Sequence, residues 1–98
     1  MNMKTVKKAL MTSKVTIGEH AKDRMAKRGY TRKDLISCIM TGSIVEHQIR
    51  KGKPCLLIEG QDLDELPIAM VIGHDLKPGY LKVVTVMPPL KGKFKRVI

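Results

Sequence analysis

The spacing of apolar residues changes once along this chain, and that change limits the fold more than any other feature. Before Gly42 the apolar residues recur at helical intervals; after Ser43 they come in short runs bounded by turns. Val6, Ala9 and Leu10 lie between lysines in residues 3–12, which predicts a short amphipathic helix. Val15-Thr16-Ile17 is too brief to count as more than an extended link. Gly18 opens a second helix, about Glu19 to Lys27, which ends at Arg28-Gly29, because glycine is the usual residue just past a helix end. Thr31 with Asp34 three positions on predicts an N-cap and an acid in the first turn. That third helix carries Leu35, Ile36, Ile39 and Met40 and stops at Gly42.

Four strands are expected beyond Ser43: Ile44–Ile49, Cys55–Gly60, Leu66–Gly73 and Tyr80–Met87. Lys51-Gly52-Lys53-Pro54 turns the chain between the first two, most simply as a solvated hairpin tip. An acidic loop, Gln61–Glu65, follows the second, and Pro78-Gly79 suits a type II turn before the fourth. Pro88-Pro89 ends the sheet. Helices first and an antiparallel meander afterwards give one α+β domain over residues 1–98, with N-terminal helices on one face of a roughly four-stranded sheet and a basic tail from about residue 89.

If His74 faces Tyr80 across the last turn, Ile72, Met70 and Ile68 pair with Lys82, Val84 and Val86. This bulkier face takes the helices. The opposite face, with Val71, Ala69 and Pro67 beside Val83, Thr85 and Met87, is then open to a groove. With three aromatic residues and seven methionines, the core is expected to be aliphatic.

The net charge of +10 is uneven. Residues 1–33 hold ten Lys/Arg against Glu19 and Asp23, residues 54–80 hold five acids against Lys77, and residues 81–98 hold five cations and no acid. Such a field concentrates anionic ligands, RNA first among them, although excess charge also serves solubility. Cys38 and Cys55 are seventeen positions apart among apolar neighbours, which predicts buried free thiols rather than metal ligands. No zinc spacing, Gly-rich phosphate loop or Ser-His-Asp set occurs, so neither a metal nor a cofactor is expected. Lys4, Lys7 and Lys8 precede no continuous apolar stretch, and the longest apolar run, Ile68 to Ile72, falls short of a bilayer span. A cytoplasmic location without membrane contact is the expectation.

His20, Arg24 and Arg28 fall four apart on the second helix, about 40° from one another, as one slanted strip beside the buried Ala21–Met25 edge. Two guanidiniums there suit phosphate oxygens, and an imidazole beside them suits proton transfer near neutral pH. Arginines bordering a core also pair with carboxylates, and Glu46 and Glu59 are the partners available on the sheet. His74 and Tyr80, around the last turn, are candidates for substrate contact or a second proton.

Gly18-Glu-His20-Ala-Lys-Asp-Arg24-Met-Ala-Lys-Arg28-Gly29, then Gly42-Ser-Ile-Val-Glu46, Pro54 to Gly60, Leu66 to Val71 and Val84-Thr85-Val-Met-Pro88 follow in order. This series resembles a prokaryotic family of unknown function marked by H-A-x-x-R-M-x-x-R-G and a late I-T-V-Y-x-P strand. Its members are similar to RelE/MqsR-type toxins, metal-independent mRNA endoribonucleases neutralised by an antitoxin protein. The resemblance implies His20, Arg24, Arg28 and Thr85 as catalytic positions, RNA as substrate, and an antitoxin-like partner; self-association into a homodimer stays open. Many relatives carry histidine where this chain has Ala69 and tyrosine where it has Met87. The alternative is a non-catalytic RNA-binding or protein-interaction domain.

Overall fold

The computed structural model describes residues 1–89; the basic tail lies beyond them, and expectations for it fall outside the described residues. Three helices, α1 (Met3–Met11), α2 (Glu19–Arg28) and α3 (Arg32–Thr41), accompany five strands. The strands are β1 (Val15–Ile17), β2 (Ser43–Arg50), β3 (Lys53–Gln61), β4 (Pro67–His74) and β5 (Leu81–Met87), in the sheet order β1-β5-β4-β3-β2. The α+β class and the helices-then-meander order follow the reading of the sequence.

Local chemistry accounts for the helix ends. Asn2 caps α1, its side-chain oxygen accepting from the Thr5 N–H at 2.9 Å. Gly29, at φ 73°, ends α2 in the left-handed region that glycine enters freely, and the Tyr30 N–H bonds the Met25 carbonyl at 3.0 Å. At the start of α3 the Asp34 carboxylate accepts from the Thr31 N–H at 2.8 Å and the Thr31 hydroxyl at 3.1 Å. Its other oxygen accepts from the Leu63 N–H at 3.0 Å, which ties the acidic loop to the helix. Gly79, at φ 82°, with the Tyr80 N–H bonded to the Lys77 carbonyl, forms the expected type II turn.

Two expectations about the strands are corrected. Val15–Ile17 is a strand, paired in parallel with Leu81–Val83. Three residues gain little by themselves, but the β5 edge needs backbone partners, and the Thr16 hydroxyl anchors β1 by donating to the Asp75 carboxylate at 3.2 Å. The second correction concerns register. His74 pairs with Leu81, not Tyr80, because the Asp75 N–H bonds the Tyr80 carbonyl and so sets Asp75 against Tyr80 at the mouth of the turn. A β-bulge then leaves Val84 without a partner between Val71↔Thr85 and Ile72↔Val83. Ile72 therefore pairs with Val83, Met70 with Val86 and Ala69 with Met87, rather than with Lys82, Val84 and Thr85. The expected register would have buried Lys82 under the helices; the observed one places Leu81, Val83 and Val86 there.

The main core joins Val6, Ala21, Leu35, Cys38 and Ile39 from the helices to Leu56, Ile58, Ile68, Met70 and Ile72 from the sheet. It contains no aromatic among its buried residues, as expected. Each fully buried Ile or Met contributes about 1.5–3 kcal/mol. The opposite face is not open along its length: Cys55, Leu57, Ala69 and Val71 form a second buried cluster, flanked by Val84 and Met87. Both thiols are free and buried, and burial pushes the Cys38 thiol up to about 12, so it stays protonated.

Helix α3 meets β3 backbone to backbone at Gly60. A Cβ there would lie 2.4 Å from the Cys38 carbonyl oxygen, with no flexible side chain able to yield. Gly60→Ala is therefore expected to destabilise the fold by about 1–3 kcal/mol, read as a lower urea midpoint. Asp34 gives a pH-dependent test. The N–H groups of Thr31 and Leu63 hold its pKa below the ordinary carboxylate value of 3.8. Its stabilisation is thus complete above that value and is lost as pH falls through the folded pKa. Asp34→Asn should cost about 1–2 kcal/mol at neutral pH, and the gap from the unsubstituted protein should close in strong acid.

Candidate functional site

The β2–β3 hairpin turns on two residues with positive φ, Lys51 at 51° and Gly52 at 76°, the pattern of a type I′ turn. This geometry pairs Arg50 with Lys53 on one side of the sheet end. On the same face, strand pairing sets Cys55 opposite Gly73, and Gly73 opposite Lys82. Gly73 adds no side chain to this row; a Cβ there would sit 3.1 Å from the Cys55 sulfur. The missing side chain leaves room for the Cys55 sulfur and Val84, which with Gly73 are among the residues lining this face.

Helix α2 supplies the remaining wall. Its N-cap, Gly18, donates its N–H to the Val83 carbonyl at 2.9 Å, and a Cβ on Gly18 would come within 3.3 Å of the Lys82 side chain. So close a start sets the first turn of α2 beside Lys82 and brings His20 to the rim. The result is a groove of about 800 Å3 with Cys55, Gly73 and Val84 among its lining. Arg50, Lys51, Lys53 and Lys82 border it together with His20 and His74, and no carboxylate is among the lining residues. Along β2, the Arg50 Nε donates to the Gln48 amide oxygen at 3.1 Å, and the Gln48 nitrogen donates to Glu46 at 2.7 Å. That chain of bonds orients the Arg50 guanidinium.

The candidate residues separate in space. His20 and His74 share the groove. Arg24, half-buried, and Arg28, exposed, continue along α2 but do not line it. Among the described residues neither arginine forms an ion pair; the pairs on α2 are Lys22–Glu19 and Lys27–Asp23, both between exposed groups. Arg28 ends near Tyr30 at the acidic-loop end of the molecule: burial raises the Tyr30 pKa, the nearby Arg28 charge lowers it, and Asp62 and Asp34 raise it. Tyr80 lies outside the groove with the Lys77 ammonium 4.2 Å from its ring centre. Thr85 is buried opposite Val71. Ala69 and Met87 face each other directly.

Reading the sequence missed Arg50, Lys53 and Lys82 as groove residues. The available signal was a lysine inside the apolar run Leu81–Met87, a position that demands a solvated side of the sheet. Among the described residues no group of three His, Cys, Asp or Glu side chains is placed to hold a metal ion. No helix among them is long and apolar enough to cross a membrane.

A family model described as "Domain of unknown function (DUF4258)" matches residues 17–88. No curated protein and no solved structure matches the chain.

The groove's charge predicts salt-dependent binding of single-stranded polyanions. Arg50→Ala, Lys53→Ala and Lys82→Ala should each reduce the slope of log affinity against log salt by about 0.7 for each phosphate contact removed. Fluorescence anisotropy across a salt series checks this, with Lys33→Ala, on α3 and outside the groove, as the comparison.

Proposed function

The chain belongs to the DUF4258 family, whose description assigns no activity, and from its own side chains we propose an endoribonuclease that works without a metal ion. The observation that carries this reading is two imidazoles, His20 and His74, bordering one groove with four cationic side chains and no carboxylate. Cleavage of RNA without metal requires three things: a proton removed from the 2′-hydroxyl, stabilisation of the phosphorane, and a proton given to the departing 5′-oxygen. The 2′-oxygen then bonds phosphorus as the P–O5′ bond breaks, leaving a 2′,3′-cyclic phosphate and a 5′-hydroxyl. One neutral and one protonated imidazole supply the two proton transfers. Lys82, Lys53 and Arg50 meet the added negative charge on phosphorus.

Arg24 and Arg28 extend the basic track along α2, where they hold RNA backbone beyond the reacting phosphate. The resemblance to RelE/MqsR-type toxins read from the sequence motif implies the same chemistry and an antitoxin-like protein as the partner that silences it. A second reading has its own observation. Ala69 and Met87 pair directly, so the two positions where the sequence resemblance implies a histidine and a tyrosine fall at one spot. A chain that relied on that spot binds RNA without cutting it.

A long RNA incubated in EDTA under single-turnover conditions separates the readings. The nuclease cuts it, leaves cyclic phosphate ends and shows a bell-shaped dependence of rate on pH. His20→Ala and His74→Ala should each slow cleavage about 100- to 10,000-fold while changing RNA affinity little. Intact RNA with salt-sensitive binding selects the second reading.

A further inference from the structure

A second cavity, about 280 Å3, adjoins the groove around the end of the sheet. Its lining includes Met1, His47, Ile49, Pro54, Leu56 and His74. Strand pairing places His47 opposite Leu56 and Ile49 opposite Pro54, on the face that carries the helices. The groove's Cys55, Gly73 and Lys82 lie on the other face. His74, the last residue of β4, borders both spaces, as do Pro54 and Cys55. All three histidines of the chain therefore line two adjoining spaces at one end of the molecule.

The two spaces differ in chemistry. The groove carries four cations, whereas the cavity has no Lys, Arg, Asp or Glu among its lining residues. It offers two imidazoles and the aliphatic surfaces of Ile49 and Leu56, with Ile49 78% exposed. A channel bordered by four cations beside a slot with ring-shaped walls and no Lys, Arg, Asp or Glu side chain matches the alternation within a nucleotide, phosphate and then base. The volume sits at the small end of ligand sites and suits one planar ring system.

We propose that this cavity holds one nucleobase of the RNA strand whose phosphate lies in the groove, stacked against His47 and Ile49. The inference rests on the reading of the groove as an RNA site. It narrows the substrate to single-stranded RNA with an unstacked base next to the bound phosphate. The strand has to bend around Pro54 and His74 from one sheet face to the other, and a paired base cannot make that turn.

The test uses a labelled 2′-O-methyl RNA octamer, which cannot be cleaved, with anisotropy measured in EDTA. His47→Ala and Ile49→Ala should each weaken binding about tenfold, the loss of one stacking contact, without altering the salt slope. Both residues are exposed on an edge strand, so neither substitution disturbs the core. Octamers with a single abasic position provide a measurement that needs no variant. At one position the missing base should weaken binding to the unsubstituted protein equally, and there the difference between it and His47→Ala should vanish. The base slot is overturned if the two variants bind like the unsubstituted protein, if no abasic position matters, or if a duplex binds as tightly as the single strand. Cleavage that depends on His20 and His74 but tolerates every abasic position overturns the slot alone. No binding of any octamer overturns the slot and the RNA reading together.

Discussion

The pairing of β4 with β5 decides which side chains this protein can use. Leu81 and Val83 must enter the core, so Lys82 between them must face away from the helices. Continued alternation would have turned Val84 and Thr85 to opposite faces. The bulge at Val84 instead lets Val86 return to the core opposite Met70. One extra residue thus fills the helix-side core at both ends of β5 and leaves Lys82 and Val84 beside Gly73. The groove lies over that arrangement, with Cys55, Gly73, Lys82 and Val84 among its lining.

Charge is separated along the molecule by the way carboxylates are used. Asp34 accepts from Thr31 and Leu63, and Asp62 accepts from the N–H groups of Asp64 and Leu66, each at 2.9 Å. Asp75 anchors Thr16 and its own turn. These carboxylates brace loops with backbone donors, an inexpensive way to hold an irregular segment. Arg50, Lys51, Lys53 and Lys82 border the groove instead, with no carboxylate among its lining residues. A phosphate entering the groove meets several cations and no carboxylate among the lining residues.

Several features were legible from residue order because they are local. Gly29 and Gly79 sit where left-handed backbone is needed, Thr31 and Asp34 begin a helix, and the aliphatic runs form the core. His20 was legible as a border residue of α2 for the same reason, since helical spacing fixes a strip. The destination of that strip was not. Arg28 ends beside Tyr30 near the acidic loop, whereas His20 meets residues from β3, β4 and β5. The strand formed by Val15–Ile17 was equally hidden, because three residues become a strand only when a free edge is waiting for them.

The sequence by itself determined the α+β order, the helix ends, the aliphatic core, the type II turn and the excess of positive charge. Each depends on neighbours within a few positions or on composition, where backbone sterics and burial act directly. Tertiary structure alone decided the register of the last hairpin, the parallel edge strand and the meeting of His20, His74, Lys53 and Lys82. Those depend on residues far apart in the chain, such as Val15 and Leu81, 66 positions from one another. A one-residue slip in such a pairing exchanges the faces of a strand, so only the competition for burial across the whole sheet selects among registers.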